Sequence, residues 1–147
     1  DTSLILTGLV NGTAYDVTVT AGNADGNSTP AAAANNPITP STVPDAPTGA
    51  TGIPGDTTIA ATWTAPVSNG GAVITNYRAF AYEANDPAKI PVTACQSSAS
   101  PPATPTLGCT LPGLINGVTY RYEVRAGNLN GLSIPSAPSG NLTPVGP

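Results

Sequence analysis

Residues 111–135 read LPGLINGVTYRYEVRAGNLNGLSIP, and residues 6–30 read LTGLVNGTAYDVTVTAGNADGNSTP. The two stretches align without a gap at an offset of 105, with 13 identities in 25 positions. Leu9 falls on Leu114, Gly12 on Gly117, Tyr15 on Tyr120, Gly22 on Gly127 and Pro30 on Pro135. A self-match of this length marks an internal repeat, and its period is that of a whole domain rather than of a small solenoid unit. Thr39-Pro40 and Thr143-Pro144 then open Pro-rich linkers in both copies.

The register divides the chain. Residues 43–147 hold a full period and are expected to form one complete domain. Residues 1–42 match only its C-terminal part and are expected to hold the last three strands of a preceding domain, at Leu4 to Leu6, Thr13 to Ala21 and Ala31 to Thr39. The chain is thus expected to begin inside one domain and run to the linker of the next.

Alternation places the strands of the complete domain. Residues 57–64 put Ile59, Ala61 and Trp63 on one face, and residues 73–83 do the same with Tyr77, Ala79 and Ala81. Short strands follow at 89–95 and at 107–111, the latter with Cys109 and Leu111 inward, separated by a Ser/Pro/Ala loop from Ser97 to Pro105. Residues 118–126 turn Tyr120, Tyr122, Val124 and Ala126 inward. Residues 44–51 supply a Pro-containing edge strand, and residues 132–143 a broken last strand. Seven short strands in about 100 residues, punctuated by turn signals, indicate an all-β sandwich.

On these residues the chain resembles bacterial fibronectin type III repeats, within the immunoglobulin-like β-sandwich class. The resemblance rests on Pro44-Asp45-Ala46-Pro47, on Trp63 followed by Pro66, on Ile74-x-x-Tyr77 and on Leu114-x-x-Gly117-x-x-Tyr120. The last matches the tyrosine corner, in which a buried Tyr hydroxyl bonds back to the chain just before its strand. Leu9, Gly12 and Tyr15 repeat it in the first copy. Ala126-Gly127-Asn128 and Asn130-Gly131-x-Ser133-x-Pro135 also fit.

Composition narrows the function. Only 8% of residues are charged, the net charge is −4, and there are four Lys+Arg and no His. Four cations cannot neutralise a run of phosphates, so no nucleic-acid partner is expected. Without His there is no Ser-His-Asp or Cys-His pair, and two Cys cannot complete a four-ligand zinc site. Asp25-Gly26-Asn27 lacks the string of oxygen ligands that calcium needs and reads as a turn. No catalytic residue, metal or cofactor is expected, and no apolar run reaches the ~20 residues of a membrane-spanning helix.

Three features bear on function instead. Cys95 and Cys109 read as a disulfide; a redox pair is the alternative, but the C-x-x-C spacing is absent. The bridge implies an oxidising, extracellular location. With Tyr77 and Tyr120 inward, Arg78, Phe80 and Tyr82 face outward on one strand, and Arg121, Glu123 and Arg125 on its neighbour. That face is either solvated or a docking patch, since exposed aromatics beside Arg are enriched at interfaces. Finally, Leu4, Leu6, Leu9, Tyr15, Val17 and Val19 form an apolar face that the half domain cannot bury by itself. Its expected cover comes from another copy of the chain or from an adjoining domain of the same polypeptide.

The sequons at Asn11, Asn27 and Asn141 permit glycans without requiring them. The leading expectation is a non-enzymatic structural protein of a bacterial extracellular filament, sheath or surface fibre. A spacer array of a secreted polysaccharide hydrolase and an adhesin module are the alternatives.

Overall fold

The computed structural model describes residues 3–99 and 103–146, and all their regular secondary structure is β. Eleven strands follow in order. They are β1 (Thr18–Val19), β2 (Gly22–Asn23), β3 (Gly26–Asn27), β4 (Ala31–Ala32), β5 (Thr48–Gly55), β6 (Thr58–Thr64), β7 (Asn76–Glu83), β8 (Thr93–Ser98), β9 (Gly108–Leu111), β10 (Tyr120–Asn128) and β11 (Gly131–Leu132). The last seven make a sandwich of two antiparallel sheets, ordered β5-β6-β9 and β11-β10-β7-β8.

The core follows from period-two alternation. Ile59, Ala61 and Trp63 of β6 are buried, while Ala60, Thr62 and Thr64 between them are exposed. Tyr77, Ala79 and Ala81 of β7 and Tyr122, Val124 and Ala126 of β10 close the opposite wall, with Leu111 and Leu114 beside them. Each large apolar side chain buried here contributes about 1.5–3 kcal/mol relative to leaving it in water. The Trp63 and Tyr77 rings meet tilted, with centroids 5.6 Å apart. Tyr122 is fully buried and crosses the sandwich, and its hydroxyl is shared between the carbonyls of Thr51 (2.6 Å) and Thr62 (2.5 Å). Burial penalises the phenolate and pushes its pKa up to about 12.

The expected strand at 89–95 lies later, at Thr93–Ser98. Asp86 organises the preceding residues into a turn, its carboxylate accepting from the amides of Ala88 and Ile90 (both 2.8 Å), and Pro91 has no amide to give a ladder. The Ser/Pro/Ala loop is correspondingly shorter at its start, and its residues 100–102 lie outside the described residues.

The last strand departs furthest from expectation. Regular pairing stops at Leu132, and β10 is then bordered by a segment that contacts it every third residue. The amides of Ser133, Ser136, Ser139 and Leu142 donate to the carbonyls of Ala126, Val124, Tyr122 and Tyr120 at 2.8–2.9 Å. The hydroxyls of the three serines accept from the amides of Ala126 (3.1 Å), Val124 (3.1 Å) and Tyr122 (3.0 Å). A spacing of three belongs to polyproline II, whose backbone cannot serve a strand's donors. Ser-x-Pro-Ser-x-Pro-Ser supplies the missing acceptors from side chains.

Residues 3–42 hold shorter strands than expected. Leu4 to Leu6 is not a strand. Its counterpart β9 pairs only with β6, and no equivalent of β6 stands beside the first copy. Of the Thr13 to Ala21 and Ala31 to Thr39 segments, only the two-residue β1–β4 ladder and a Tyr15–Ile38 bridge are regular.

Candidate functional site

The tyrosine corner is built twice. The Ile115 amide donates to the Tyr120 hydroxyl at 3.2 Å, and the Val10 amide to the Tyr15 hydroxyl at 2.9 Å. Gly117 and Gly12 sit at φ +83° and +80°, a region that disfavours any Cβ, and their amides donate to the carbonyls of Pro144 and Pro40, both at 2.9 Å. The surroundings differ. Leu114 and Tyr120 are buried, whereas Leu9 is 38% exposed, Leu4 86%, Leu6 51% and Val19 65%, with Tyr15 and Val17 half-buried. The first copy thus keeps the bonds of its C-terminal half and leaves its apolar face open.

Cys95 and Cys109 form a disulfide with Cα atoms 5.9 Å apart. Cys95 lies on β8 and Cys109 on β9, so the bond joins the edges of opposite sheets and closes one flank of the sandwich.

The outer face of β7 and β10 brings together the six polar and aromatic side chains singled out in the sequence. Tyr82 stands opposite Arg121, Phe80 opposite Glu123 and Arg78 opposite Arg125. The face is less open than expected, because Tyr82 is only 4% exposed. Lys89, at φ +49° in the Asp86 turn, carries its ammonium 5.6 Å from the Tyr82 ring centroid and pairs it with Glu123. Tyr82 also donates to Glu123 at 3.4 Å, and burial together with that carboxylate holds its pKa above the usual phenol value.

Arg121 donates to Asn141 at 2.7 Å, and Arg78 lies over the Phe80 ring at 5.3 Å. Among the described residues the one ion pair of this face is Lys89–Glu123, while Arg78, Arg121 and Arg125 rest on neutral groups, Arg78 directly opposite Arg125. Sequence reasoning missed Lys89, which it set in a short edge segment. The only available signal was the Asp86-Pro87 turn, which gives no direction for a side chain three residues on.

A second constellation lies where the two copies meet. The Asn11–Gly12 turn abuts Gly71 so closely that a Cβ on Gly71 would stand 2.3 Å from the Gly12 nitrogen. A Cβ on Gly70 would stand 2.3 Å from the Thr42 carbonyl oxygen. The linker is tied down by bonds from the Thr42 amide to Gly70 (2.8 Å), from the Asp45 amide to Ser68 (3.0 Å) and from the Asn128 side chain to Thr42 (2.7 Å). Composition marked residues 69–71 only as a loop.

Two sheets in this order, seven strands and a tyrosine corner define an immunoglobulin-like β-sandwich module. A sequence profile of the fibronectin type III domain matches residues 45–140, and the chain belongs to that family. The human protein Brother of CDO is 36% identical over 102 residues, which are 69% of this chain and 8% of that protein. The chain therefore spans under a tenth of that curated relative's length.

Among solved structures, titin domains A168–A170 superpose with a TM-score of 0.63 at 25% identity, over 88% of this chain and 40% of that one. Titin kinase with its flanking domains gives 0.58 at 30% identity, over 70% of this chain and 17% of that one. Domains d3–d4 of the rat CD45 extracellular region give 0.61 over 97% of this chain and 70% of that one, where 15% identity speaks for the fold alone. Among the described residues, no helix is long and apolar enough to cross a membrane.

Proposed function

We propose that this chain is a non-catalytic structural part of a bacterial extracellular filament, sheath or surface fibre assembled from fibronectin type III modules in series. The observation that carries the reading is the duplicated corner. Residues 3–42 repeat the C-terminal half of the complete module down to individual hydrogen bonds, yet expose Leu4, Leu6 and Val19. Such a face is stable in water only when strands equivalent to β5 through β8 cover it, and the self-match supports a module of the same kind as their source. The disulfide supports an oxidising exterior.

The purified chain tests the reading by sedimentation velocity across a wide concentration range. Reversible association that shifts the exposed Leu4, Leu6 and Val19 methyl signals with concentration is the expected result. A monomer at every concentration, with those methyl signals unmoved, would refute completion by a second copy and favour the spacer array.

A further inference from the structure

We infer that the Asn116–Gly117 corner of the complete module is the docking site for the next module of the same sequence type, taking its Asn69–Gly70–Gly71 loop. The inference rests on the tandem reading above and goes beyond it by naming the contact. The joint is seen once in this chain. There the first copy's Asn11–Gly12 turn meets Gly71, and Gly70 meets the linker at Thr42 and Val43.

The corner that makes this contact is reproduced 105 residues later. Gly117 repeats the φ of Gly12, its amide takes the Pro144 carbonyl as Gly12 takes Pro40, and Val118 bonds to Ile115 as Thr13 bonds to Val10, both at 3.2 Å. Asn116 and Gly117 are exposed, and a Cβ on Gly117 would meet nothing within 4 Å, whereas one on Gly12 would stand 3.1 Å from Gly71. One corner is occupied by a Gly-Gly loop, and its duplicate presents the same backbone to solvent.

The linker supports the same occupant. Thr42 takes part through backbone groups alone, donating its amide to Gly70 and accepting the Asn128 side chain on its carbonyl. Gly146 stands at the equivalent sequence position, two residues after the Pro that caps the corner. Two glycines are required in the arriving loop because backbone meets backbone on both sides. A loop with side chains at those positions would be held several tenths of an ångström or more away.

The test appends a copy of residues 44–147 directly after Pro147, with only the first 147 residues isotopically labelled by segmental ligation. Amide shifts of Asn116 and Gly117 are compared with those of the unextended chain, and relaxation reports whether the modules tumble together. The expected result is displacement of those two signals and a shared rotational diffusion. Both are lost when the appended copy carries Gly71→Ala or, independently, Asn128→Ala, each checked for retained folding by its own melting transition. Asn116 and Gly117 signals that stay put when the appended copy is unaltered, or that still move when it carries Gly71→Ala or Asn128→Ala, overturn the inference. Modules that fold in series but tumble separately would do so while leaving the tandem reading intact.

Discussion

Replacing Ser136 with Ala isolates the bond type that closes the β10 edge. The Ser136 side chain is almost fully buried, and its oxygen accepts the Val124 amide at 3.1 Å while donating to the Ala137 carbonyl at 2.8 Å. Val124 is itself fully buried, so no water replaces the lost acceptor. An orphaned buried donor costs about 1–3 kcal/mol. The freed Ala137 carbonyl belongs to an exposed residue and rehydrates, which adds little. A loss of about 2 kcal/mol is expected, or roughly 8–16 °C in Tm for a domain of this size.

Urea unfolding followed by Trp63 fluorescence measures the loss. The m-value should be unchanged, because the surface exposed on unfolding is the same. Ser136→Thr, which keeps the hydroxyl, should recover most of the loss, and exposed Ser98→Ala should change stability by under about 0.5 kcal/mol. The positions are three polyproline residues apart, about 9 Å, so the effects should nearly add. Ser133, Ser136 and Ser139 together then reach about 3–9 kcal/mol, against a total stability of about 5–15. The first copy supplies the refuting alternative. It has Ala31 where the second has Ser136, and there the chain forms an ordinary ladder, Val19 opposite Ala31. A Ser136→Ala loss below about 0.5 kcal/mol would mean the segment relaxes into that ladder and the hydroxyl is dispensable.

Reducing the disulfide, or replacing Cys95 and Cys109 by Ser, should lower stability by about 3 kcal/mol from loop closure alone, read as a shifted urea midpoint. Alkaline titration should destabilise the domain between the ordinary tyrosine pKa of 10.0 and the Tyr122 value of about 12. In that window the unfolded chain has lost the Tyr122 phenol proton and the folded one has not, so this group's contribution to stability falls as pH rises, by about 3 kcal/mol overall, and is flat below it. Tyr122→Phe should lessen that slope, the remainder coming from Tyr77 and Tyr82, whose pKa values burial also raises, and an unchanged slope would refute the assignment. Lys89→Ala should uncover the Tyr82 ring and raise its rate of nitration, located by mass spectrometry. An unchanged rate would mean that Lys89 does not cover Tyr82.

The sandwich was legible because its two strongest signals are local. Alternation at Ile59, Ala61 and Trp63 needs no partner to be read, and the Gly117 to Tyr120 spacing encodes a bond within five residues. What depended on a distant neighbour was misread. Leu4 to Leu6 has strand composition but no strand beside it to pair with. Lys89 reaches Glu123 across 34 residues, and nothing local announces that. Tyr82 points outward as alternation requires, yet lies under a turn that the sequence places only roughly. The serine triplet was visible at 133, 136 and 139, but a period of three had been folded into the expectation of a broken strand.

That triplet also bears on how the β10 edge meets any neighbouring strand. A bare β10 edge would offer evenly spaced donors and acceptors to any neighbouring strand, and a string of like domains keeps such strands at high local concentration. The serine-bordered segment uses up the β10 groups along that edge. No further strand can pair with β10 from that side, so this edge of the sheet is closed to edge-to-edge fusion.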